Sequence, residues 1–235
     1  MVVEEKVIET DNLSKYYITI YGVVKALDNI TVTIKKGITL LIGPNGSGKS
    51  TFIKLIMGAS RPTKGKIKVF NKNLNEKTKK RLRFHVGPEY YPKNVYVWRI
   101  IDYASKIYGA SQQEVRETIK KFELEDMLNM KFGALSSGMS QRVSMAVSFI
   151  GEPEYIIFDE PFVNLDPYWM NVFVKEINAH GNALVVSHMM DIVNMIEYGR
   201  LLFINNGKLL YDSFGKLREL EVRTMFYKGG VKPGT

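Results

Sequence analysis

One eight-residue string, Gly43-Pro44-Asn45-Gly46-Ser47-Gly48-Lys49-Ser50, limits what this chain can become more than any other. It stands between Ile38 to Ile42, which reads as a strand, and an apolar-periodic run from Lys49 to Met57, which reads as a helix. Strand, glycine loop and helix in that order form a phosphate cradle. The glycines let successive backbone N–H groups turn inward as an anion nest, and the following helix aims its positive end at the same point. Gly43, Asn45, Gly46, Ser47 and Gly48 are therefore candidate phosphate contacts, with Ser50 and Thr51 opening the helix. Lys49 adds a point charge suited to β- and γ-phosphates, and the Ser50 hydroxyl suits Mg²⁺. The expected site is one for a metal-bound triphosphate.

The second informative string is Ile156-Ile157-Phe158-Asp159-Glu160-Pro161. A short apolar run bounded by acid reads as a buried parallel strand, and its C-terminal end is where open α/β sheets bind ligands. Asp159 is placed to hold Mg²⁺ through water, and Glu160 to take a proton from an attacking water.

The rest of the chain fits that frame. Residues 7 to 42 read as several short strands, and Val97 to Phe132 changes to helical periodicity, with Ile100, Ile101, Ala104 and Ile107 on one face. A helix after Ser140 leads to the acid-pair strand. A further helix from about Tyr168 to Asn178 precedes a strand at Ala183 to Val186. From Arg200, two short strands around Asn206-Gly207 and a helix near Gly215 to Glu221 are expected. The predicted fold class is α/β, a phosphate-loop core with a mostly parallel sheet, an N-terminal antiparallel β subdomain and an inserted helical subdomain. The expected division is one domain over 1–235, with a catalytic lobe from 1–88 and 136–227, a helical lobe at 89–135 and a mobile tail at 228–235.

Composition excludes several classes. With 45% apolar residues in 235, a core is assured, and no apolar run approaches the roughly 20 residues that span a bilayer. Cysteine is absent, which removes disulfides and thiolate metal sites. The net charge of +9 could point to nucleic acid, an anionic membrane face or phosphates. Its lysines, among them Lys64, Lys66, Lys68, Lys72, Lys77, Lys79 and Lys80, are scattered as on a solvated face.

With both strings in place, the chain resembles the ATPase subunit of the ABC transporter superfamily over nearly its whole length. Leu135-Ser136-Ser137-Gly138-Met139, followed by Gln141-Arg142, is similar to the family signature, which opens a helix and in that family covers the γ-phosphate held by a second subunit. Here Ser137 stands where glycine is usual and Met139 where glutamine is usual. If the backbone at Ser137 needs positive φ, its Cβ is a steric cost; if not, its hydroxyl can offer a hydrogen bond. Ser187-His188 resembles the switch histidine, which implies a contact from His188 to γ-phosphate and to Glu160. His85 lacks such a context and reads as structural. Asn164-Leu165-Asp166 resembles the loop that crosses the dimer interface, although Asp166 before Pro167 also reads as a helix cap. Tyr17 lies where the family presents a ring to adenine, with Tyr16 as the alternative. Gly87-Pro88-Glu89 resembles the loop joining the two lobes, with Glu89 where glutamine is usual, and it implies a third group near Mg²⁺ or the attacking water.

The resemblance implies ATP and Mg²⁺ as cofactors and a homodimer or heterodimer closed around two ATP molecules. It also implies a separate transmembrane subunit and a peripheral place on the cytoplasmic face of the membrane. Glu89 and a short helical lobe lean toward the exporter-type branch. A soluble ATPase of the same superfamily, acting on DNA, ribosomes or cluster assembly, is the competing reading. The chain has neither the long heptad insertion nor the tandem cassettes of such relatives, so nucleic acid is not an expected partner.

Overall fold

The computed structural model describes residues 5–73, 75, 78 and 81–228. Two 14-residue strands, β1 (Lys6–Thr19) and β2 (Gly22–Lys35), form an antiparallel hairpin that β4 (Lys64–Val69) and β5 (Lys72–Asn73) extend in the order β2-β1-β4-β5. The sequence suggested several short strands here. The asparagines that look like breaks, Asn12 (φ 48°) and Asn29 (φ 60°), take left-handed backbone beside register shifts, so the ladder bulges and continues.

The second sheet carries the chemistry. Its order is β10-β9-β3-β8-β7-β6, built from β3 (Ile38–Ile42), β6 (Leu82–Phe84), β7 (Tyr155–Asp159), β8 (Ala183–Ser187), β9 (Arg200–Asn205) and β10 (Lys208–Phe214). All neighbours pair in parallel except β9 with β10. Asn206 (φ 49°) and Gly207 (φ 72°) close that last hairpin, both with positive φ as a two-residue turn of matching twist requires.

Alternate residues of the parallel strands face two apolar clusters, which is why the runs are apolar without a polar beat. Leu40, Phe158, Val185 and Phe203 join one cluster, while Leu41, Ile157, Val186 and Leu202 join the other. The first is covered by α2 (Val97–Tyr108), α4 (Ser137–Phe149) and α5 (Pro167–His180). The second holds α1 (Lys49–Ile56) against β1 and β2 through Phe52, Ile53, Leu55 and Ile56, each contributing about 1.5–3 kcal/mol by burial.

The helical segment contains two helices. Gly109 (φ 70°) ends α2, and Ser111 starts α3 (Gln112–Lys121) with a capping box closed by Glu114. Ile107, placed by periodicity on the buried face of α2, is 56% exposed. It borders a groove instead. After β8 come the single turn α6 (Ile192–Met195) and, past β10, α7 (Glu219–Lys228), which starts later than the expected Gly215. No helix among the described residues is long and apolar enough to cross a membrane. The expected mobile tail lies, beyond Lys228, outside the described residues, as do Lys77, Lys79 and Lys80. Lys64, Lys66, Lys68 and Lys72 are exposed, as a solvated face requires.

Candidate active site

Three neighbouring strands, β3, β8 and β7, end side by side, and each delivers chemistry at its C-terminal end. From β3 the chain enters the glycine loop, whose Gly46 (φ 78°) and Gly48 (φ 111°) take left-handed backbone. A Cβ on Gly43 would collide with the Ile204 carbonyl oxygen and crowd Ser47 Oγ, so that position admits only glycine. The turn between β9 and β10 braces the loop from behind. Gly207 donates its N–H to the Ser47 carbonyl at 2.9 Å and accepts from the Asp28 N–H at 2.8 Å. Sequence reading saw this Asn-Gly pair only as a hairpin turn, and nothing in the string signals its contact with a loop far away in the chain.

Lys49 is 5% exposed, and its Nζ donates to the Gly43 and Pro44 carbonyls at 2.7 and 3.0 Å. It lies 3.9 Å from Glu160 Oε1. Burial holds the ammonium below its ordinary range, against the pull of Glu160 and Asp159. Asn45 and Gly46 are exposed, and Ser50 and Thr51 open α1.

Asp159 ends β7, and its carboxyl is pushed upward first by desolvation and then by the neighbouring Glu160 charge. Its Oδ1 is buried without a hydrogen-bond partner, as is Ser47 Oγ in the loop. An orphaned anionic oxygen beside the Ser50 hydroxyl is the environment a small hard cation would complete. Among the described residues, no three His, Asp or Glu side chains converge as a protein-only metal cage. With one carboxylate and one hydroxyl side by side, the residues present fit a metal that shares its coordination with phosphate and water, as Mg²⁺ does.

Glu160 follows with φ 48°, a left-handed conformation that costs a non-glycine residue on the order of 1–3 kcal/mol. Its oxygens are well held. His188 Nδ1 lies 2.9 Å from Oε1, and Ser187 Oγ donates to Oε2 at 3.0 Å. Strands β7 and β8 thus bring together the acid and the histidine that the sequence singled out separately.

The other candidates stand around this centre. Glu89 lines the same cavity of about 380 Å³ as Asp159, Glu160 and Ser137, with its carboxylate folded against Gly87. Ser136 caps α4, accepting from the Met139 N–H at 3.2 Å, and both Ser136 and Ser137 are exposed. Ser137 is the first residue of α4 with right-handed backbone, so its Cβ carries no conformational cost. Gly138 packs toward the Asn164 carbonyl, 3.4 Å from where a Cβ would stand. Asp166 caps α5, accepting from the Trp169 N–H at 3.0 Å. Tyr16 donates its hydroxyl to Asp28 at 2.9 Å, whereas Tyr17 keeps a half-exposed ring 5.1 Å from the Lys15 ammonium. His85 is buried and hydrogen-bonded, on the inner wall of the same cavity.

Comparison with known proteins gives a family. The family model described as ABC transporter matches residues 27–163. The cell division ATP-binding protein FtsE of Bacillus subtilis is 34% identical, the match covering 80% of this chain and 90% of that protein. The energy-coupling factor transporter ATP-binding protein of Clostridium perfringens is 32% identical, covering 93% of this chain and 83% of the relative. Among solved structures, a dimeric post-hydrolysis ATP-binding cassette bound to ADP and Pi superposes with a TM-score of 0.75 at 22% identity, covering 88% of this chain and 98% of that one. That likeness concerns the fold.

Proposed function

The chain belongs to the ABC transporter family as an ATP-binding, ATP-hydrolysing subunit, and on that premise we propose that two copies, or one copy and a close relative, close around two ATP molecules to drive a separate membrane subunit. The observation that carries the chemistry is the contact chain from Lys49 through Glu160 to His188, at 3.9 and 2.9 Å.

Each residue has a part that its place supports. Amides of the loop from Gly43 to Ser50 cradle the phosphates, and Lys49 exchanges its loop carbonyls for β- and γ-phosphate oxygens. Tyr17 offers its free face to adenine, since the Tyr16 hydroxyl is tied to Asp28. Ser50 and Asp159 would hold Mg²⁺, with Glu89 across the cavity. When bound, that ion supplies charge neutralisation on the β- and γ-phosphate oxygens. Glu160 accepts the proton of the attacking water, and His188 keeps that carboxylate oriented and reaches the γ-phosphate.

Dimerisation supplies what one chain lacks. Ser136 and Ser137 are solvent-exposed at the N-terminus of α4, and among the described residues no hydrogen bond joins them to the phosphate loop of their own chain. Facing another copy, they would add donors to its γ-phosphate and exclude water, with Asp166 at the crossing. The membrane subunit is assigned to a groove of about 820 Å³ lined by Tyr91, Trp98, Tyr103, Ile107 and Tyr108, beside the loop that carries Glu89. Such docking would place the protein on the cytoplasmic face of the membrane.

The test is Glu160→Gln. With ATP and Mg²⁺ it is expected to accumulate as a dimer by light scattering, with turnover reduced by about 10²-fold or more. A monomer under those conditions would refute the closure, and retained phosphate release would refute the base.

A further inference from the structure

Glu160 sits in a left-handed conformation, and something must hold the residue after it. The Gln141 side chain, 4% exposed and one turn into α4, donates from Nε2 to the Pro161 carbonyl at 2.7 Å. The same amide nitrogen lies 3.4 Å from His85 Nε2. His85, at the end of β6 and 7% exposed, is anchored on its other side, with Nδ1 at 3.1 Å from Ser148 Oγ.

The hydrogens of this cluster can be assigned from its acceptors. Ser148 donates its hydroxyl to the Ser144 carbonyl at 3.2 Å, so its oxygen is left to accept from His85 Nδ1–H. Ser144 spends its own hydroxyl on the Val86 carbonyl. His85 is then the Nδ1–H tautomer with a bare Nε2, and among the described residues the Gln141 amide is what faces that lone pair. Burial pushes His85 down to about 4, which keeps the ring neutral and the acceptor available. With one N–H on His85 and the other on Pro161, the Gln141 amide cannot flip without losing both bonds.

We propose that Gln141 and His85 are positioning residues for hydrolysis: His85 fixes the amide of Gln141, and Gln141 clamps the Pro161 carbonyl so that the Glu160 carboxylate points at the site of attack. The proposal rests on Glu160 as the base. Both line the inner wall of the cavity that holds Asp159 and Glu160, and among the described residues neither hydrogen-bonds the glycine loop, so their effect should fall on the chemical step while ATP binding stays with that loop.

Two substitutions of the histidine separate its two bonds. In His85→Gln the side-chain carbonyl reaches where Nε2 was and still accepts from Gln141. In His85→Asn the amide replaces Nδ1 and keeps Ser148 but abandons Gln141. Turnover by the full-length chain, measured with ATP and Mg²⁺, is expected to lose about tenfold or more in kcat for His85→Asn and for Gln141→Leu, with KM for ATP within about twofold of wild type, because a small misplacement of a reacting group is that costly. His85→Gln should retain most of the kcat. The double variant His85→Asn/Gln141→Leu should be no slower than Gln141→Leu, since both cut one link.

Equal kcat for His85→Asn and His85→Gln would overturn the proposal, as would losses that appear in KM or follow the melting temperature. Glu160→Gln measured in parallel separates the two levels. If it keeps turnover, the assignment of the base fails; if it is silent while Gln141→Leu is unimpaired, only the positioning role fails.

Discussion

Gly46 and Gly48 both have positive φ in the phosphate loop, yet replacing each by alanine should have different consequences. At Gly46 (φ 78°) an added Cβ meets nothing within 4 Å. The left-handed backbone then costs alanine about 1–2 kcal/mol, partly offset by about 0.4–1 kcal/mol from the stiffer unfolded chain. At Gly48 (φ 111°) the same Cβ would stand 2.5 Å from the Ala26 carbonyl oxygen and 2.8 Å from Leu27 Cδ2. Leu27 is fully buried and Ala26 lies in β2, so neither can yield without moving the hairpin that α1 packs against. The cost should reach about 3 kcal/mol or more. For a chain of this size each kcal/mol shifts the melting temperature by about 2–4 °C, giving a drop of about 0–6 °C for Gly46→Ala and about 6–12 °C for Gly48→Ala. Calorimetry of the nucleotide-free protein reads both. Equal shifts, or a larger one at Gly46, would refute the claim that β2 sets the limit behind the loop.

Asp159 has a folded pKa raised above its unfolded value, so the stability it contributes is full below the unfolded pKa and lost as pH rises through the folded one. Acidification from neutral pH into the raised range should therefore strengthen the nucleotide-free protein while weakening its affinity for ATP with Mg²⁺, which requires the charged carboxylate; Asp159→Asn should flatten both trends in melting and nucleotide-binding titrations. At Asp166, whose carboxylate caps α5, Asp166→Ala should cost about 0.5–2 kcal/mol, whereas Asp166→Asn keeps the cap. If Asp166 also works across the dimer, Asp166→Asn lowers ATP turnover at unchanged melting temperature; normal turnover in the Asn variant would leave only the cap.

What could be read in advance was local. The strand, loop and helix around Lys49 and the strand before Asp159 carry their geometry in their own spacing, and the structure places both where that spacing implies. The long hairpin could not be read that way, because Asn12 and Asn29 make bulges or breaks according to which strand lies opposite. Ile107 failed for a related reason: its apolar character is real, but its face of α2 turns to a groove and not to the core. The bond that distinguishes Tyr16 from Tyr17 is made to Asp28, twelve residues from Tyr16 and on the facing strand. The Gln141 contact with Pro161 spans 20 residues and its contact with His85 spans 56. No window of sequence contains that network.

The departures from the family pattern become intelligible at the same level. Ser137 tolerates a side chain where glycine is usual because α4 has already begun there, with Ser136 as its cap and ordinary right-handed backbone. Its exposed hydroxyl is therefore a donor gained without strain. Met139, where glutamine is usual, packs against the large apolar cluster and gives up a polar contact for burial. Glu89 is accommodated by Gly87, whose missing Cβ leaves room for the folded carboxylate, 2.5 Å from where that carbon would be. Glycine there and glutamate two residues on are thus one adaptation: replacing Gly87 by alanine would drive the Glu89 carboxylate out of its resting place and toward the cavity that already holds Asp159 and Glu160. A third negative charge moved closer would push the Asp159 carboxyl, already raised by burial and by Glu160, further up, so the glycine keeps Asp159 chargeable as much as it shapes the loop.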